Sequence, residues 1–356
     1  MSLKLKSRLI LETGEEIEGF KVLNEENIAI GKVVFDTRVV GYEKILSCPE
    51  YKDKLVCFSY PLVGNYGINY EDLETKEIFP KGLIISELSS TYSNYRADSS
   101  FFDFISKAKT SIISQVDTQY ITKKIRGEKN LWGAIVSSNV DTSEVISEIK
   151  RKKIESLKLF SGADASNEIV SDTFQTKEKI SVLNLGIKKS EITNLQSSGY
   201  KIKILNLEDD NILKEISSSQ ALYITSGSEN YSIMKKAYNI VREVVGKLPI
   251  FGTGLGHLIL GQILGGKILE DCVNHYGINL PVVNLVTEKN LITEQMHSFV
   301  LDKMTIPEEK ITYLHLNDKT IEGLTDKQKQ IISVSFIPQE EDFQSFFSII
   351  KEQNGR

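Results

Sequence analysis

One octapeptide, Phe251-Gly-Thr-Gly-Leu-Gly-His-Leu258, carries the strongest chemical signal in the chain. The apolar Pro249-Ile-Phe251 leads into it as a strand, and Leu255–Leu264 follows as a helix. Strand, sharp turn and helix is the geometry that holds a nucleophile on a strained elbow in acyl-transfer enzymes. The apex, where that chemistry needs Ser or Cys, is Gly254. Glycine adopts the strained backbone at little cost but brings no side chain, so positive φ is expected at Gly254. A phosphate-cradling Gly-x-Gly-x-x-Gly loop is the competing reading. It fails at its third position, His257, and lies too deep in its domain to follow a first strand.

The remaining histidines and cysteines offer less. His257, near the helix start, reads as a packing or capping residue. Cys272 and His275 form a Cys-x-x-His pair, which is two ligands short of a zinc site. Cys272 as a relocated nucleophile lacks an evident oxyanion loop beside it. His297 reads as a surface histidine. His315, alternating with apolar residues in Tyr313-Leu-His-Leu316, reads as the polar face of a strand.

These groups need a scaffold, and 356 residues with 40% hydrophobic side chains supply about two domains' worth of core. A net charge of −5 with scattered basic residues gives no footprint for nucleic acid. Three widely spaced cysteines form no disulfide framework, and no signal peptide follows Met1, so a reducing, cytoplasmic setting is expected. The uncharged run Leu248–Gly266 carries six glycines, a proline and a histidine, and reads as core instead of a membrane span. Residues 1–158 are strand-rich, opening with two short strands around Thr13-Gly14 and continuing with strand candidates at Lys32–Phe35, Lys54–Ser59 and Gly82–Ser86. Residues 159–178 lack periodicity and read as a linker. From 179 to 356, strands (Lys179–Leu185, Lys201–Leu205, Ala221–Thr225, Pro249–Phe251) alternate with helices, which predicts an α/β domain with a mainly parallel sheet covered on both faces.

Phe251-Gly-Thr-Gly-Leu-Gly-His-Leu258 resembles the Phe-Gly-x-Cys-x-Gly-His-Gln signature of class I glutamine amidotransferases. The N-terminal half narrows the resemblance. Gly31-Lys-Val-Val-Phe-Asp-Thr37, Gly41-Tyr-Glu-Lys-Ile-Leu46, Tyr60-Pro-Leu-Val-Gly-Asn-Tyr-Gly-Ile-Asn69, Gly82-Leu-Ile-Ile-Ser-Glu-Leu88, Ser93-Asn-Tyr-Arg96 and Asp117-Thr-Gln-Tyr-Ile-Thr122 look, in order, like the small subunit of carbamoyl-phosphate synthase. The resemblance implies a small-subunit N-terminal domain and a flavodoxin-like amidotransferase domain. It also implies a large-subunit partner, and no cofactor in this chain, since ATP and Mg belong to the large subunit. In that family an elbow Cys attacks glutamine, a His backed by a Glu moves the proton, and ammonia passes to the large subunit.

By the same resemblance this chain departs at each chemical position. Gly254 stands for the Cys, and Ile337 and Gln339 stand for the His and Glu of His-Pro-Glu. Glutamine-site positions correspond to Glu50, Gly227, Glu229, Leu255, Leu258, Met296, Ser298 and Phe299, several of them changed, while Gly252, Gly256 and His257 keep the elbow scaffold. Removing the nucleophile alone costs on the order of 10⁶-fold in a comparable triad. The leading expectation is a non-catalytic partner that stabilises or regulates the large subunit in ammonia-dependent synthesis. The alternatives are a glutaminase of unusual mechanism and a repurposed paralogue that binds another ligand. Whether arginine or pyrimidine synthesis is served stays open.

Overall fold

The structure, a computed structural model, describes residues 5–23, 28–108, 110–128, 130–156, 178–197, 199–270 and 273–354. The 159–178 stretch read as a linker falls outside these residues except for Glu178, as does Cys272. The chain divides into two compact units, Met1–Leu159 and Phe160–Arg356.

The first unit is a closed barrel. Its strands run Lys6–Leu11, Glu16–Lys21, Ser111–Ser114, Gly82–Ile84, Lys54–Phe58, Ala29–Asp36 and Trp132–Ser137, the last pairing back onto the first. Closure leaves no edge strand to protect. Alternation along the strands decides what fills the interior. Leu9, Leu11, Val33, Phe35, Leu55, Cys57 and Ile135 point into one core, joined by Ile121 and Ile125 of the helix Thr118–Gly127. The intervening Ile10, Ala134 and Val136 pack outward against Val145 and Ile149 of the helix Thr142–Ser156. The opening hairpin is present as expected, with Gly14 at φ +91° in its turn.

The second unit is a nine-stranded sheet. Five strands, Lys201–Asn206, Lys179–Asn184, Ala221–Ile224, Ile250–Thr253 and Ile331–Val334, pair in parallel. Beyond them the sheet continues in antiparallel fashion through Ile321–Asp326, Ile311–His315, His275–Asn284 and Asn290–His297. The strand–helix alternation therefore identified the parallel half, and the antiparallel extension adds to it. Both faces of the parallel half are covered. Leu183, Leu222, Ile224 and Ile250 pack under the helices Tyr231–Arg242 and Leu255–Ile263. Their neighbours Val182, Tyr223 and Phe251 pack on the other face against Phe343 and Phe346 of the helix Glu340–Asn354.

No described helix is long and apolar enough to cross a membrane. Leu248–Gly266 is instead divided between the strand and helix of the elbow.

Candidate functional site

Gly254 lies between the strand Ile250–Thr253 and the helix Leu255–Ile263, at φ +49° and ψ −106°. That conformation is strained for any residue with a Cβ. Its N–H donates to the Val334 carbonyl at 2.9 Å, which ties the turn to the neighbouring parallel strand. A Cβ at this position would lie 2.2 Å from Ser226 Oγ and 2.8 Å from Ser226 Cβ. The space that a nucleophilic side chain would enter is thus held by the Ser226 hydroxyl. Gly256 serves packing instead, since a Cβ there would lie 2.7 Å from the Ile224 carbonyl oxygen.

Below the apex, Thr253 Oγ1 donates to Glu191 Oε1 at 2.9 Å, and Tyr223 Oη donates to the same oxygen at 3.1 Å. Sequence reasoning missed this buried network, because a Glu in a helical stretch gives no sign that it faces inward. His257 is buried, with Nδ1 2.9 Å from Ser333 Oγ, and burial pushes its pKa down to about 4. A neutral, packed imidazole fits its reading as scaffold.

The positions that the family resemblance assigns to a substrate site lie as follows. Glu229, on the loop after the strand Ala221–Ile224, accepts hydrogen bonds from the backbone N–H groups of Ser298 and Phe299, the latter at 2.7 Å. One carboxylate oxygen therefore occupies two adjacent amide donors. Ser298 is fully buried, with its hydroxyl 2.9 Å from Tyr276 Oη. Leu255, Leu258 and Met296 are buried and apolar, and Gly227 approaches the Leu185 carbonyl so closely that a Cβ would lie 2.2 Å from it. The Ile337 N–H donates to the Glu294 carbonyl at 3.0 Å. Gln339 donates from Nε2 to the Ile292 carbonyl at 3.0 Å and from its backbone N–H to Asp342 Oδ2 at 2.9 Å. Its backbone N–H thus helps to start the helix Glu340–Asn354. In the first unit, Glu50 is buried in the 3₁₀ turn Pro49–Tyr51, and its backbone carbonyl accepts from Lys54 Nζ. That turn is anchored by Tyr51 Oη, which donates to Asp36, itself paired with Arg38 at 2.9 Å.

Two of the other three histidines correct the sequence reading. His297 is buried, not on the surface, because the Asn290–His297 strand turns its end inward beside Glu322. His315 ends the strand Ile311–His315 as expected, but its face is buried, and its ring stacks on His275 at 4.2 Å between centroids. His275 has partners along the sheet: Nε2 lies 2.8 Å from Asp318 Oδ2, and Nδ1 lies 3.4 Å from Glu322 Oε1. Burial alone would lower the His275 pKa, but Asp318 and Glu322 outweigh it and carry it to about 9. Burial likewise opposes the ionised Glu322, yet His297 and His275 hold its carboxyl well below the usual range. Three histidines spread between 275 and 315 show no ligand spacing, so only the antiparallel pairing could bring them together.

Two family models match the chain. "Carbamoyl-phosphate synthase small chain, CPSase domain" covers residues 9–135, and "Glutamine amidotransferase class-I" covers residues 181–340. The chain is similar to the carbamoyl phosphate synthase small chain of Clostridium perfringens, with 33% identity over 94% of each chain. It is 30% identical to the small chain of Archaeoglobus fulgidus, again over 94% of each. The carbamoyl phosphate synthase arginine-specific small chain of Bacillus subtilis is 28% identical over 94% of this chain and 92% of its own. With two domains in the family's order and an elbow of the amidotransferase type, this chain belongs to the carbamoyl phosphate synthase small-chain family.

Proposed function

We propose that this small chain hydrolyses no glutamine and serves the large synthetase subunit as a non-catalytic partner, stabilising or regulating synthesis that draws ammonia from solution. ATP and Mg would be bound by the large subunit alone. The observation that carries this reading is Gly254: the elbow keeps its strained turn with no side chain, and Ser226 Oγ stands where a side chain would begin. Acyl transfer from an amide needs a nucleophile and a group to take and return its proton. Ile337 has no ionisable group, and the Gln339 amide is neither a carboxylate nor a base. Glu229 supports the same reading from the substrate side, because a bound amino acid's carboxylate would compete with it for the Ser298 and Phe299 amides.

Family membership favours a second reading, the usual glutamine-hydrolysing subunit. In this chain the hydroxyl beside the apex, Ser226, is the candidate nucleophile for it. Carbamoyl phosphate synthesis by the chain reconstituted with its large subunit separates the two. The first reading expects synthesis with ammonium and none with glutamine. Glutamine-dependent synthesis that is abolished by Ser226→Ala would establish the second. Failure of the two chains to co-purify would favour a repurposed paralogue.

A further inference from the structure

Three of the chain's four histidines meet two carboxylates at one end of the antiparallel half of the second unit's sheet. His275 and His297 are cross-strand partners, and Glu322 comes from the strand Ile321–Asp326. Hydrogen-bond chemistry assigns one proton to each ring. His275 Nε2 faces a carboxylate, Asp318 Oδ2, at 2.8 Å, so it carries a proton. His297 Nδ1 faces the Phe299 carbonyl at 3.1 Å, so it too carries one. In neutral rings this leaves lone pairs on His275 Nδ1 and His297 Nε2. Both of those nitrogens face Glu322, at 3.4 Å from Oε1 and 3.3 Å from Oε2. Glu322 is fully buried, and His275 Nδ1 makes no hydrogen bond of ordinary geometry.

Lone pairs directed at a carboxylate inside a protein repel it unless a cation lies between them. A second proton on His275 relieves one contact, and relieving the other takes a second proton on His297 as well, with Nε2 then lying between Glu322 and Gln295 Oε1, the latter at 3.1 Å. One divalent ion would satisfy both rings and the carboxylate together. The separations suit it: the edge of a tetrahedron with metal bonds of 2.0–2.1 Å is about 3.3 Å. The surroundings suit it as well. Asp318 behind His275 and the Phe299 carbonyl behind His297 are the outer partners that orient metal-bound imidazoles. Thr320 Oγ1 donates to Glu322 Oε1 at 2.7 Å, and Ser335 Oγ donates to Oε2, which fixes the carboxylate. Gln295 Nε2 donates to Thr293 Oγ1 at 2.9 Å, which leaves the amide oxygen directed at His297, where it would serve as a fourth ligand.

We propose that His275, His297 and Glu322 form a buried structural site for one divalent transition-metal ion, with Asp318 and the Phe299 carbonyl as outer supports. Two imidazoles and one carboxylate select Zn²⁺ or a similar ion over Mg²⁺ or Ca²⁺. The ion would fasten three antiparallel strands and the Gln295–Phe299 segment, and this role is independent of whether the elbow is catalytic.

The test uses the full chain with any affinity tag removed, stripped with a chelator and reloaded with Zn²⁺ or Co²⁺. Elemental analysis after desalting is expected to find about one Zn²⁺ per chain. Co²⁺ should give the intense visible absorption of a four-coordinate site, and Zn²⁺ should raise the thermal midpoint. Glu322→Gln and His297→Gln should each weaken retention at least tenfold, while Cys272→Ser should not. The Co²⁺ spectrum of the unsubstituted chain decides the matter if those variants fail to fold. Zn²⁺ content far below one per chain, with no Co²⁺ band and an unmoved midpoint, would overturn the proposal and leave protons as the cluster's cations. Retention lost in Cys272→Ser alone would overturn it too.

Discussion

At Gly254 the backbone and the side chain give opposite signals. Its φ of +49° and ψ of −106° preserve an elbow, while the missing side chain removes what an elbow presents. Gly254→Cys would put a Cβ into a strained backbone and against Ser226 Oγ. Such strain costs about 1–3 kcal/mol. Urea unfolding should show Gly254→Cys destabilised by that order, with part of the loss recovered in Gly254→Cys combined with Ser226→Gly. A variant as stable as the unsubstituted chain would mean that Ser226 yields freely. At Glu229 a carboxylate already holds the Ser298 and Phe299 amides. Displacing it would give up two charge-assisted hydrogen bonds, each worth about 1.5–3 kcal/mol. Calorimetry should therefore detect no glutamine binding tighter than about 1 mM. Glu229→Gly, which frees both donors, is expected to bind glutamine more tightly than the unsubstituted chain. Saturable submillimolar binding by the unsubstituted chain would show that Glu229 moves aside.

At the scale of elements, the elbow was legible because its geometry demands particular residues. Gly256 lets the helix Leu255–Ile263 approach the strand Ala221–Ile224. Gly256→Ala would place a Cβ 2.7 Å from the Ile224 carbonyl oxygen. Its overpacking cost of about 1–3 kcal/mol exceeds the roughly 1 kcal/mol that Ala gains over Gly in a helix. Gly127, at the end of the helix Thr118–Gly127, has open space around its Cβ position, so Gly127→Ala should be neutral or stabilising. Thermal unfolding of the two variants checks the contrast, and a stable Gly256→Ala would contradict the close packing. The antiparallel extension was not legible. His275–Asn284 changes register between Gly277 and Leu280, which breaks the alternation that would announce a strand. The short barrel strand Ser111–Ser114 is likewise defined by long-range partners, Glu16–Lys21 and Gly82–Ile84, instead of by local pattern. The histidine cluster was hidden for the same reason, since sequence spacing carries no trace of a cross-strand pair.

For the whole molecule, family motifs and chemistry are unevenly kept. The segments between Gly31 and Thr122 that carry the small-chain resemblance form much of a closed barrel with a continuous core. The amidotransferase-like unit retains a sheet covered on both faces, while its apex, Ile337 and Gln339 carry none of the groups that amide hydrolysis uses. We expect a fold of this kind to be maintained by binding to the large subunit instead of by turnover. The most direct measurement is the release of labelled ammonia from amide-labelled glutamine by the purified chain, with and without its large subunit. Release at the no-enzyme background in both cases is the predicted result. Turnover above background that co-purifies with the chain, and that disappears with Ser226→Ala, would contradict a non-catalytic role.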